Sequence, residues 1–204
     1  MHNSLRVAVA AILVAGAGVA LAGGYVLTVN GKATELDLDK DVQILVDGRT
    51  VTVRLERKEQ QVFADSGLSF EHPAVVQPTT TDVSDGVRQV MLVSANGNGV
   101  ILQRYRGIDP TALVDLMIKE TTDEEVAAGY TRTIRPAMRK LADGSELTGK
   151  HARTQSKDES WDRFVYARGD GSGGGYLIVT MMEDDRAAPD VTMLDRFWKS
   201  LKLD

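Results

Sequence analysis

The sequence predicts an α+β fold: an antiparallel β-sheet flanked by helices, with an N-terminal β-hairpin extension. Three observations lead there. Short apolar runs are separated by hairpin dipeptides such as Asn30-Gly31 and Asp47-Gly48. Two runs, Val90–Val93 and Tyr176–Met182, are apolar on both faces and so belong in the middle of a covered sheet. Two further stretches carry helical spacing between start and stop signals.

The chain opens Met1-His2-Asn3-Ser4-Leu5-Arg6 and then runs from Val7 to Gly24, 18 residues, without a polar side chain. A short basic start, an apolar core and the small residues Ala20-Leu21-Ala22 are the parts of an export signal, placing residues 1–22 as a signal peptide cleaved after Ala22. The same run is marginal as a membrane span, so a retained anchor in the inner membrane is the alternative. The chain has no cysteine, which excludes disulfides, thiolate metal sites and lipid attachment after the apolar run. Cleavage would leave 182 residues with 23 basic and 29 acidic side chains. That is one ordinary domain by size, and its acidity argues against nucleic acid as a partner.

From Tyr25 to Phe63 short strands alternate with turns. Val42, Ile44 and Val46 pair in pattern with Val51, Val53 and Leu55, while Thr50, Thr52 and Arg54 keep the other side wet. Residues 23–64 therefore read as a β-ribbon, too thin to stand alone. Asp65-Ser66-Gly67 marks a break, and residues 65–204 form the main domain. Leu68–Pro73 is a short strand and Gln77–Asp85 a loop. Val87–Ala95 and Val100–Arg106 make a central hairpin around Asn96-Gly97-Asn98-Gly99. A helix capped by Asp109, with Pro110 at its first position and Gly129 at its end, is expected to lie across that hairpin through Leu113, Leu116, Met117 and Ile118.

Tyr130–Met138 reads as a strand that Pro136 pushes to an edge or a bulge. The polar segment Glu146–Thr154, then Asp162–Arg168, then Tyr176–Met182 complete the strands. A last helix puts Val191, Leu194, Trp198 and Leu201 on one stripe.

This order resembles the PsbP/DcrB/Mog superfamily of α/β/α sandwiches. The residues that carry the likeness are Gly67-Leu68-Ser69-Phe70-Glu71-His72-Pro73, the helix after the first hairpin, and the closing Phe197-Trp198-Lys199-Ser200-Leu201. It covers about residues 65–204 and implies a PsbP-like sandwich. It also implies an exported accessory role through other proteins, without known chemistry. The family's lipid-modified cysteine is absent here.

Direct signs of chemistry are few. His72 and His151 have no carboxylate or second histidine at ligand spacing, and no nucleophile elbow surrounds Ser94, Ser156 or Ser160. Asp37, Asp39 and Asp41 have calcium-loop spacing, but Val42 stands where glycine is needed and Gly48 where glutamate is needed. The run Gly169–Gly175 lacks the lysine and the following helix of a phosphate loop. No catalytic residue, cofactor or metal site is assigned.

The strongest feature is a basic segment between Tyr130 and Asp170, with nine basic against six acidic side chains. Arg132, Arg135, Lys150, Arg153 and Arg163 form the candidate interaction surface, to be weighed against an ordinary solvated strand face.

The reading is thus an exported, non-enzymatic binding or accessory protein of the bacterial cell envelope, acting on another envelope protein as a monomer or homodimer. If the signal is uncleaved, it would be tethered to the membrane. Two alternatives remain. One is a small-ligand or lipid carrier with Trp161, Trp198 or Tyr166 at the mouth of a pocket between helix and sheet. The other is an enzyme whose site is assembled from scattered residues.

Overall fold

The computed structural model describes residues 24–185 and 187–204, so the expected export signal lies outside it. The chain forms two compact units, the first ending at Lys58 and the second spanning Glu59–Asp204.

The first unit holds strands β1 (Tyr25–Val29), β2 (Lys32–Leu36), β3 (Asp41–Val46) and β4 (Arg49–Arg54). They pair as two separate two-stranded sheets, β1 with β2 and β3 with β4. Asn30 and Gly31 take φ of 49° and 81°, and Asp47 and Gly48 take 50° and 77°. Successive positive φ values give the turn whose twist matches a two-residue hairpin, which is why these dipeptides mark the corners. Val42 faces Val53 and Ile44 faces Val51, as the alternation requires. Among the described residues of this unit Leu36 alone is fully buried.

The second unit begins with β5 (Gln60–Asp65) and β6 (Leu68–Pro73), a hairpin turning through Ser66 and Gly67 at φ of 47° and 84°. Next come β7 (Thr79–Ser84), β8 (Val87–Val93) and β9 (Gly99–Tyr105). A 3-10 turn at Pro110–Leu113 leads into α1 (Val114–Ala127). Strands β10 (Thr131–Lys140), β11 (Glu146–Gln155), β12 (Ser160–Gly169) and β13 (Gly175–Glu183) follow, then α2 (Ala188–Ser200) and β14 (Lys202–Leu203).

Seven strands form one antiparallel sheet in the order β10-β11-β12-β13-β9-β8-β7, and β14-β6-β5 form a smaller one. β13 is the middle strand, and Tyr176–Thr180 along it are all buried. Tyr105, Val165, Leu177 and Val179 pack under Val114 and Ile118 of α1. Across the sheet, Leu92, Leu102, Tyr166 and Ile178 pack against Leu68 and Phe70 of β6 and against Met193, Phe197, Trp198 and Leu201 of α2.

These strands correct the expected fold class. Of the described residues 54% are in strands and 17% in helices, so the molecule is a β-rich fold carrying two helices. It is not the expected α+β, PsbP-like sandwich flanked by helices. The difference comes from polar strands. Thr79–Ser84, expected in a loop, is an edge strand with every side chain exposed, so it has no buried face to impose alternation. Gln60–Asp65, expected to close the ribbon, pairs instead with β6.

The helices also sit differently from expectation. α1 packs over β11 and β12 rather than across the β8–β9 hairpin. Its buried side chains are Val114, Ile118 and Thr122, while Leu116, expected inside, is 53% exposed. The 3-10 turn at Pro110–Leu113 precedes the α-helix, so a stripe counted from Pro110 at 3.6 residues per turn is out of phase with the helix that follows. α2 matches its stripe, with Leu194, Trp198 and Leu201 buried, and it adds Met193 and Phe197.

Candidate interaction surface

Arg132, Arg135, Lys150, Arg153 and Arg163 lie on β10, β11 and β12, but strand alternation divides them between the two faces of the sheet. Cross-strand partners share a face. The register Ile134–Ala152–Arg163 and Pro136–Lys150–Val165 puts Arg163 and Lys150 on the α1 side, where Ala152 and Val165 are buried. Arg132, opposite Thr154, joins them. The register Arg135–His151–Phe164 and Thr133–Arg153–Asp162 puts Arg135 and Arg153 on the other side. The structure therefore does not gather the five into one patch.

On the α1 side each cation meets a carboxylate of α1. Lys150 pairs with Asp115, Arg132 with Asp123, and the Arg163 guanidinium with both oxygens of Glu125. Arg132 also donates to Thr122 Oγ1 at 2.7 Å, and Arg163 donates to Thr154 Oγ1 at 3.0 Å. The buried Arg163 lies with its guanidinium 5.5 Å from the Trp161 ring centre.

On the opposite side Arg153 donates to Asp162 at 2.9 Å and to Ser160 Oγ at 2.7 Å, and it pairs with Asp184. The Asp184 hydrogen bond, with the charges of Asp162 and Asp184, raises the Arg153 pKa above its ordinary value despite some desolvation. His151 Nε2 donates to the other Asp162 oxygen at 2.6 Å. Its ring stacks on Phe164, with centres 4.3 Å apart and planes 10° apart. Phe164 stacks on Tyr166, whose ring meets Trp198 edge-on. Arg139 covers Trp198 at 4.3 Å. An aromatic ladder thus runs from α2 across β12 and β11 to Arg135, the cross-strand neighbour of His151. Arg135 is exposed and has no carboxylate partner among the described residues. On the α1 face of the same edge strand Ile134 and Met138 are 43% and 65% exposed.

The His151–Asp162 contact is one that sequence spacing missed. The two are diagonal neighbours across the β11–β12 hairpin, so the signal was the position of the turn at Ser156–Glu159, which sets the register. Ser160 stands in the same network, but its Oγ donates to Asp184 at 2.8 Å, leaving no nucleophile presented to His151. No group of three His, Asp or Glu side chains arranged to hold a metal ion occurs among the described residues.

The other residues weighed from sequence have structural roles. His72 is buried, with Nδ1 2.8 Å from the Val76 carbonyl oxygen and its ring edge-on to Phe70. Asp37 pairs with Lys40, and Asp41 with Arg54. Asp170 closes the glycine-rich turn by accepting from the Ser172 and Gly174 amides and the Ser172 hydroxyl, which holds its pKa below the ordinary carboxylate value.

Among the clefts of the second unit two are the most developed. One, of about 530 Å³, lies between β6 and α2 with Phe70, Glu71, Arg196 and Lys199 in its walls. The other, of about 490 Å³, lies by the β7–β8 turn with Arg88, Arg104 and Arg106 facing Asp82 and Asp85. Neither has Trp161, Trp198 or Tyr166 in its wall, where the carrier reading put them.

No protein-family model matches the chain, and no curated protein matches it.

Proposed function

We propose that the chain is an exported, non-enzymatic binding protein of a bacterial cell envelope, acting through protein–protein contacts made by edge strand β10. The observation that carries the reading is the disposition of charge. Arg132, Lys150, Arg153 and Arg163 are each satisfied by carboxylates within the unit, whereas edge strand β10 turns Arg135, without a carboxylate partner among the described residues, to one face and exposed Ile134 and Met138 to the other. A partner that grips this edge meets apolar side chains on one face and a cation on the other, and arginine is enriched at interfaces. An edge strand adds backbone groups that lack a partner strand. The address rests on the sequence of residues 1–22, and among the described residues no helix is long and apolar enough to cross a membrane.

The test is site-specific photocrosslinking in cells that make the protein. Probes at Ile134 and Met138 are expected to give a discrete adduct with one envelope protein, lost in Arg135→Glu. Probes at Val75 and Val83, exposed elsewhere in the unit, are expected to give none. Equal labelling from all four positions, or no adduct at any, would overturn the reading. Mass spectrometry of the exported protein is expected to find Gly23 at its N-terminus.

A further inference from the structure

The three cations beneath α1 raise a separate question, namely what holds the helix down. The first half of α1 is seated by Val114 and Ile118 in an apolar core. Beyond Ile118 no apolar side chain of the helix is buried, and Val126 is exposed. What ties residues 121–127 to the sheet is polar. Thr122 and Asp123 take Arg132, while Glu125 takes Arg163 and the Thr154 hydroxyl. Gly129, at φ +96°, ends the segment in a conformation that glycine adopts freely.

Charge follows the same division. α1 carries Asp115, Glu120, Asp123, Glu124 and Glu125 against Lys119 alone, above a strand face presenting Arg132, Lys150 and Arg163. Contacts made by charge are screened by salt, whereas apolar burial is not. A segment held mainly by partly exposed ion pairs belongs to the low-stability end of a fold and opens locally before the core does.

We infer that the basic sheet face under the second half of α1 is a binding surface for an acidic helical segment of a partner protein, and that α1 occupies it as a salt-sensitive latch. The helix itself defines the ligand chemistry. Carboxylates spaced as in Asp123 and Glu125 reach Arg132 and Arg163, and the Arg163 guanidinium takes Glu125 through both oxygens. Opening residues 121–127 frees Arg132, Arg163 and Thr154 together. A partner helix with the same carboxylate spacing then replaces intramolecular pairs with equivalent ones, so only its differential affinity for the opened state shifts the equilibrium. This inference goes beyond the role of β10 and does not depend on it.

Hydrogen exchange on the mature chain tests the latch. Raising sodium chloride from roughly 20 mM to roughly 500 mM, which shortens the screening length severalfold, is expected to speed amide exchange in residues 121–127 about tenfold. Amides of β13 act as the control and are expected to stay unchanged. The binding surface is tested with a peptide of residues 113–129 added in trans to the Asp123→Asn/Glu125→Gln chain, whose own helix is loosened. The peptide is expected to bind this variant about tenfold more tightly than the parent chain, and a peptide carrying the same two substitutions is expected not to bind. Exchange in 121–127 as slow as in β13 at every salt concentration would overturn the latch. Equal binding of the acidic and neutralised peptides, or of neither, would overturn the surface. If the variant's β13 amides show that it has unfolded, peptide binding to the parent chain at low and high salt decides the matter instead.

Discussion

Asp190 shows how a single buried charge can join distant parts of a β-rich fold. It sits in the first turn of α2, where a carboxylate complements the helix dipole. It accepts from Asn98 Nδ2 at 2.8 Å and Asn96 Nδ2 at 3.1 Å, so the β8–β9 turn is pinned to the start of the helix. Asn98 Oδ1 in turn accepts the Glu183 amide at 2.7 Å, adding the end of β13 to the same knot. Burial acts to raise the Asp190 pKa, but the hydrogen bonds from Asn98, Asn96 and Ser94 outweigh it and hold the carboxyl below its ordinary 3.8. A depressed folded pKa means that the ionised form stabilises the fold above the ordinary carboxylate value and ceases to do so as pH falls through the folded one. Asp190→Ala is expected to cost about 1–3 kcal/mol at neutral pH by leaving buried donors unpaired, and the difference is expected to shrink below pH 3.8. Urea unfolding of both proteins across that range checks it, and a penalty that persists undiminished in acid would contradict the role given to the charge.

Among the elements, α2 and β10 make opposite demands. α2 is held by side-chain burial. Phe197 is fully buried, edge-on to Phe70 with ring centres 5.0 Å apart, and Trp198 meets Tyr166 edge-on and lies under Arg139. Trp198→Ala is expected to lose roughly 3–5 kcal/mol, since it removes both packing and the cation–π contact. An unchanged midpoint in chemical denaturation would show that the helix is seated by something else.

β10 is defined by what its free edge withholds. The β10–β11 ladder runs from Thr131 to Lys140 without a register shift, with Pro136 opposite Lys150. A residue's N–H and C=O point to the same side of a strand, so a proline that leaves the ladder unbroken turns its nitrogen toward the outer edge. Pro136 thus removes one donor from a row that another chain would otherwise extend. Pro136→Val restores that donor and is expected to raise concentration-dependent association relative to the parent, as read by analytical ultracentrifugation. Sedimentation identical to that of the parent would show that the edge is guarded by its charges instead.

At the scale of the molecule, the place of β5 decides where an independent unit begins. β5 pairs along its whole length with β6, and Phe63 stacks on Phe70 with centres 5.1 Å apart, so the strand belongs to the core of the second unit. A chain beginning at Glu59 is expected to unfold cooperatively. One beginning at Asp65, which lacks Phe63 and the β5 ladder, is expected to be less stable than that chain by roughly 3 kcal/mol or more. Matching thermal midpoints for the two would remove β5 from the core.

What was legible in the sequence is what local chemistry dictates. Asn30-Gly31 and Asp47-Gly48 mark hairpins because they tolerate positive φ. Tyr176–Met182 lies centrally because it is apolar on both faces, Pro136 sits on an edge because it lacks a donor, and the α2 stripe follows the helical period. Local composition was silent where pairing alone defines a strand, as in Thr79–Ser84, whose exposed side chains carry no alternation. It was silent too at Gly149, where a methyl group would run into the Val165 carbonyl of the neighbouring strand. The candidate cations show the same limit. Sequence found Arg132, Arg135, Lys150, Arg153 and Arg163 as residues, but β-strand register assigned three of them to α1, tied Arg153 to Asp162 and Asp184, and left Arg135 without a carboxylate partner among the described residues. Charge is written residue by residue, whereas its neutralisation depends on which side chains share a face across strands, and only the tertiary structure brings those strands together.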